Sequence, residues 1–402
     1  MGPQFLVEPR TLPPGLTIQR EQSQMSPLRH VPERPDTRHR RLEYLDAIRG
    51  LAALTVVFNH YVYSFGNPSH FTRFFPLGVW WDGMAAVSMF FVLSGFVLSL
   101  RHFSANRTTG EREFDYARFF VARVFRIWIP YLAAVLFCVA LYRLRAWQLH
   151  TTPAPGSWLT GQWGQPLHFG IVLRDAILMR IETHPTLINP SWTLSIELVI
   201  SLLLPVGIII AERSSIWLVF VSLLLFKSLH VNVFILHFAA GILLAKHSAG
   251  LRSPRSKATL LIVFLLSIPL YNIRFIKLDT AWRTDTAWII SGAGALGILW
   301  VITHSPRCQK ALASAPLSHL GRVSYGLYLL HAPVLICLTP RILFWFGRFG
   351  WFGNWALGLI ATLVCSLFLA EGFYRWIEVP SIAAGKRLGR MASSLPKILT
   401  IR

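Results

Sequence analysis

The chain has 402 residues, of which 53% are hydrophobic and only 14% charged; 39 lysines and arginines against 18 carboxylates give a net charge of +21. A soluble protein of this length needs far more charge on its surface, so the composition points to an all-α, polytopic transmembrane helix bundle. It also argues against a nucleic-acid partner, because the basic residues lie in loops and tails between apolar runs and no compact polar domain carries them.

Residues 1–43 are rich in Pro, Arg and Gln and lack an apolar core. That predicts a disordered basic cytosolic tail rather than a signal peptide. Residues 44–380 form the expected membrane domain, and 381–402 a second basic cytosolic tail. Ten apolar spans are predicted, at 47–64, 84–100, 127–142, 194–211, 216–229, 232–247, 258–272, 286–303, 321–338 and 355–374. The piece HFGIVLRDAILM (168–179) is periodic but short, which suits an interfacial helix.

Ten spans place both tails on one side. With the tails cytosolic, that side carries 27 of the Lys and Arg residues and the other 11, an asymmetry that supports this orientation. No internal repeat is visible, which counts against a transporter built from duplicated halves. Cys138, Cys308, Cys337 and Cys365 have no metal-ligand spacing and imply neither a metal nor a disulfide framework.

Several polar residues interrupt the greasy spans. In LDAIRGLAALTVVFNHY (45–61), Arg49 and His60 are eleven positions apart, which is three helical turns. The two side chains therefore share a face, roughly 16 Å apart along the axis. In RVFRIWIPY, Arg123 and Arg126 share a face near the cytosolic edge. In NPSWTLSIE, Asn189 is a plausible N-cap with Pro190 at the first helical position, and Glu197 follows about two turns inside. His331 of SYGLYLLHAPV comes about 15 Å from the cytosolic end of its span. Two layers result: arginines at the cytosolic face, and His60, Glu197 and His331 at mid-depth or beyond. The simplest reading of each arginine alone is a topology signal, and of His331 a hydrogen-bonded structural group. Glu197 inside a span needs a partner or a proton. In FVLSGF, Ser94 and Gly95 suit close helix packing.

These strings, taken in order, resemble the acyltransferase-3 family of integral membrane O-acyltransferases. The resemblance runs from Leu42 to Pro380: RLEYLDAIRGLAALTVVFNH with the Arg-x10-His pattern, FFVLSGFVLS, the Arg123/Arg126 pair, PSWTLSIE, SYGLYLLHAPV and YRWIEVP. Many bacterial members carry an Asp before the FF pair, whereas AVSMFF has Ser88 there and WDGMAAVSMFFVLSGFVL is closer to the fungal branch.

The resemblance implies transfer of an acyl group, acetyl being the expected one, from acyl-CoA to a hydroxyl of a secondary metabolite, glycolipid or glycan. It implies no permanently bound cofactor. Arg49, Arg123 and Arg126 would hold the donor's phosphates, and His60 would act as general base. Glu197 would orient or stabilise the imidazole, with His331 as a second acid/base or donor. The protein would sit in an endomembrane or the plasma membrane with both tails cytosolic, its partners being the bilayer, acyl-CoA and the acceptor. The competing readings are a proton-coupled transporter or exporter and a scaffolding bundle.

Overall fold

The computed structural model describes residues 37–66, 77–105, 115–144, 158–163, 166–178, 187–229, 231–248, 256–273 and 285–393. Among them the regular structure is helical, with no strand. The N-terminal tail expected over 1–43 lies outside the described residues as far as position 36, as do positions 394–402 of the C-terminal one.

Every predicted span is helical, but the count of ten is not reached on length and composition. Among the described residues five helices are long and apolar enough to cross a membrane: Gly83–Ser104, Tyr116–Arg143, Asp285–His304, Ser324–Phe346 and Trp351–Ala392. The pair α5 (Ser191–Leu202) and α6 (Leu204–Arg213), bent by 51°, makes a sixth. Pro205 in the first turn of α6 explains the break, since it cannot continue the hydrogen-bond ladder of α5. Three further helices, α7 (Ser215–Ser228), α8 (Phe234–Ser248) and α9 (Lys257–Tyr271), are apolar but short. At roughly 1.5 Å per residue they fall below the hydrocarbon thickness of about 30 Å. The first helix, α1 (Thr37–Phe65), is long enough, yet Arg49, Asn59 and His60 interrupt its apolar run.

Two hydrophobic clusters hold the bundle. In one, α2 (Gly83–Ala105) packs with α8 and α10 (Asp285–His304) through Phe91, Phe96, Phe234 and Leu299. In the other, α1 and α3 (Tyr116–Arg143) pack with α13 (Ser324–Pro333) through Ala53, Tyr61, Tyr131 and Leu327. The α2–α8 crossing is backbone on backbone. A Cβ on Gly95 would lie 2.1 Å from the Phe238 carbonyl oxygen, and one on Gly241 2.1 Å from that of Val92. Gly95 thus has the packing role that its motif suggests. A similar approach joins α1 to α12 (Ala315–Arg322), where a Cβ on Gly321 would lie 2.3 Å from the carbonyl of Asp46. That contact sets the Asp46–Arg49 turn beside Arg322.

The predicted interfacial helix is α4 (Phe169–Ala176), with Phe169, Leu173 and Ile177 exposed on one side. Asp175, which looks like an interruption in the sequence, is buried and accepts from the backbone N–H of Leu187 at 2.8 Å, tying α4 to the entry of α5. At the C-terminal end, α15 (Trp351–Phe373) passes through a π-helical turn, Tyr374–Glu378, into α16 (Val379–Ser393). The basic segment from 381 is therefore helical as far as Ser393. It lies along α3, with the Ser381 hydroxyl donating to the Phe125 carbonyl and Gly385 close against Phe125.

Candidate active site

Helices from both clusters enclose a cavity of about 280 Å³. Its charged lining comprises Arg49, Arg123, Arg126 and Arg322 against Asp46, Glu197 and Glu378. Four guanidinium groups thus face three carboxylates. The three arginines singled out in the sequence meet here because α1 and α3 both present the turns that carry them to this point.

The pairing within the cavity is uneven. Arg49 holds Asp46 at 2.7 Å within one turn of α1. The buried Arg123 reaches Glu197 at 3.1 Å and Ser201 at 3.2 Å, and Ser94 donates to the same Glu197 oxygen at 3.0 Å. Arg126 lines the cavity with no hydrogen bond or ion pair of its own among the described residues. A guanidinium with unused donors beside a surplus of positive charge suits an anionic group such as phosphate.

The inner wall is built by Tyr328 of α13. Its hydroxyl meets Thr193 at 2.6 Å and the Pro190 carbonyl at 3.1 Å, and its ring packs edge-on against Phe90 with 5.7 Å between centroids. One turn further along α13 comes His331, fully buried. His331 faces His60: the two rings are near-parallel, and His60 Nδ1 lies 2.8 Å from His331 Nε2. Trp158 stacks on the His60 ring with 4.8 Å between centroids. Neither histidine belongs to the cavity lining.

The hydrogen bonds fix which nitrogen carries which proton. The Leu327 carbonyl can only accept, so His331 Nδ1, 3.1 Å away, holds hydrogen. A neutral His331 then keeps a lone pair on Nε2 and accepts from His60 Nδ1. His60 is left with its lone pair on Nε2. That is the tautomer a general base requires, and here His331 backed by a carbonyl enforces it.

The two sequence layers are thus redistributed. His60 and His331 do meet. Glu197 does not join them; it sits with the arginines, where Arg123 neutralises it. Ser94 bonds to Glu197 as well as lying next to the packing glycine. The N-cap of α5 is Pro190 rather than Asn189, with no side-chain bond, so Glu197 follows Ser191 by six residues. Ser88 is fully buried and its hydroxyl has no partner among the described residues. Glu378, Tyr328 and Trp158 went unnoticed as site residues. Glu378 left a trace, an acidic residue closing the apolar YRWIEVP run, whereas a tyrosine or tryptophan in a membrane span looks like ordinary packing.

A family model described as an acyltransferase domain (Acyl_transf_3) matches residues 42–371. Neither a curated protein nor a solved structure matches the chain.

Proposed function

The chain belongs to this acyltransferase family, and from that membership we propose that it is a membrane-integral O-acyltransferase using acyl-CoA as donor. One observation carries the reading: a single helix, α1, puts Arg49 into the wall of the arginine cavity and His60 into the histidine pair. Three turns separate them, roughly 16 Å along the axis.

In this scheme the anionic head of the donor occupies the cavity, with Arg126 supplying the unused donors and Arg49 and Arg123 the surrounding positive field. The thin acyl-bearing arm runs inward past Tyr328, which lines the cavity and whose ring centroid lies 6.2 Å from that of His331. His60 Nε2 takes the proton of an acceptor hydroxyl as its oxygen attacks the thioester carbonyl. The thiol leaves on the coenzyme, and the imidazolium returns its proton to that thiolate. His331 stabilises charged His60 by accepting from Nδ1 while the Leu327 carbonyl anchors it. Glu197 serves as the counter-ion that fixes Arg123. The transferred group is acetyl, and the acceptor is a hydroxyl of a secondary metabolite, glycolipid or glycan. We further propose ten spans, three of them short, with both tails cytosolic, as the Lys/Arg asymmetry favours; the site then draws its donor from the cytosol.

The test is acyl transfer by purified membranes given labelled acetyl-CoA and a panel of hydroxyl acceptors, read by mass spectrometry. His60→Ala should abolish the transferred label while the protein accumulates normally. Undiminished transfer by that variant would refute the scheme.

A further inference from the structure

Glu378 has no part in the scheme above, yet its setting is not that of a packing residue. The π-helical turn Tyr374–Glu378 inserts an extra residue where α15 passes into α16, which re-aims the side chains that follow. Glu378 is 6% exposed and lines the arginine cavity. Its Oε1 has no hydrogen-bond partner among the described residues, although the Gly326 backbone N–H bears on the carboxylate. Room for that oxygen is made by Gly326, where a Cβ would come 3.2 Å from Oε1 and 3.2 Å from the Ala370 backbone.

The other two carboxylates of the cavity are occupied, Asp46 by Arg49 and Glu197 by Arg123 and Ser94. A buried carboxylate oxygen left without a donor is costly, so its retention needs a reason. Arg126 is the complementary case, a guanidinium within electrostatic reach of Glu378 that makes no hydrogen bond among the described residues. A ligand made only of anionic oxygens would satisfy Arg126 and be repelled by Glu378.

We propose that Arg126 and Glu378 form a two-part recognition site for a ligand that carries an anionic phosphate together with an N–H or O–H donor. Arg126 takes the phosphate oxygen, and Glu378 Oε1 accepts from the donor group. The pair selects against bare phosphate and for phosphorylated molecules bearing amide, amino or hydroxyl groups. It rests on the acyl-CoA reading only in that coenzyme A is one ligand of this kind.

The experiment is calorimetric titration of the purified full chain in nanodiscs with inorganic phosphate, phosphoethanolamine and coenzyme A. Wild-type protein should prefer phosphoethanolamine over inorganic phosphate by about tenfold, the scale of one charge-assisted hydrogen bond. Glu378→Ala, which removes the acceptor, should erase that preference; Glu378→Gln, which keeps a neutral acceptor but loses the charge, should shrink it severalfold while phosphate binding stays level or tightens, and Arg126→Ala should weaken both. Thermal unfolding of each variant confirms that it is folded, and Glu378→Gln, isosteric with the native residue, carries the test if Glu378→Ala does not fold. Equal affinity of the wild type for phosphoethanolamine and phosphate, or a preference undiminished in Glu378→Gln, overturns the proposal. If the preference behaves as expected and coenzyme A does not bind, the two-part site stands and the acyl-CoA reading falls.

Discussion

The two ends of the polar track along α1 are built on opposite principles. At the cavity end, charge dominates: four arginines face three carboxylates, and part of that charge is left uncompensated. Three turns further along, the histidine end carries no carboxylate among the described residues. It consists of two hydrogen-bonded imidazoles with near-parallel rings, a backbone carbonyl and the indole of Trp158. Net positive charge holds an anion, and it would be the wrong environment for a base, because neighbouring cations and a phosphate would both perturb proton transfer. A carbonyl-anchored pair keeps a lone pair available on one known nitrogen. Under the proposed scheme, binding falls to one end and chemistry to the other.

Substitutions at the two ends should therefore separate kinetically. The largest effect belongs to the histidine end: His60→Ala should lower kcat by about 10²–10⁴-fold, the usual contribution of a general base, with the KM for the donor little changed. A loss confined to KM would erase the distinction between the ends. Next comes the ion pair that shapes the cavity. Glu197→Ala leaves buried Arg123 uncompensated and should cost about 3 kcal/mol of stability, seen as a lower unfolding temperature in detergent. Retained stability would mean that Arg123 finds another partner, and the cavity's charge would have to be recounted.

His331→Ala frees His60 from its tautomer-setting partner. It should reduce kcat by about 10–100-fold, less than His60→Ala does, and His331→Gln, which can still accept from His60, should recover part of the loss. If the double variant is no worse than His60→Ala alone, the pair works as one unit, which sharpens the contrast with the cavity. The smallest effect is expected at Arg126→Ala: about a tenfold rise in donor KM with kcat nearly intact, measured by initial rates over a range of donor concentrations. A kcat effect there instead would place chemistry at the cavity end.

Much of this was legible before folding was considered, because membranes punish polar residues. Arg49, His60, Arg123, Arg126, Glu197 and His331 stand out in apolar runs, where each is expensive to keep without a use. The eleven-residue spacing on one helix also carries geometry directly, since helical rise is fixed. Neighbourhood between helices was not legible. Glu197 and His60 share a depth but not a wall, and the rotation of α5 about its axis turns the carboxylate to Arg123. Glu378 became a cavity residue through a π-helical turn, a local change of phase that no apolar periodicity announces. The expected span count of ten was not reached for a local reason as well: the polar residues of α1, the bend at Leu203 and the shortness of α7, α8 and α9 leave five or six of the described helices long and apolar enough to cross unaided.

The sequence by itself determined the class of molecule, the helices, and the list of polar groups buried among them, because hydropathy and helical rise act along one chain. The tertiary structure alone decided which of those groups meet. The His60–His331 contact spans 271 residues and the Arg123–Glu197 pair 74. Such contacts are set by how helices rotate and cross on glycine-sized gaps such as Gly95 against Gly241, and that packing is a property of the assembled bundle rather than of any one span.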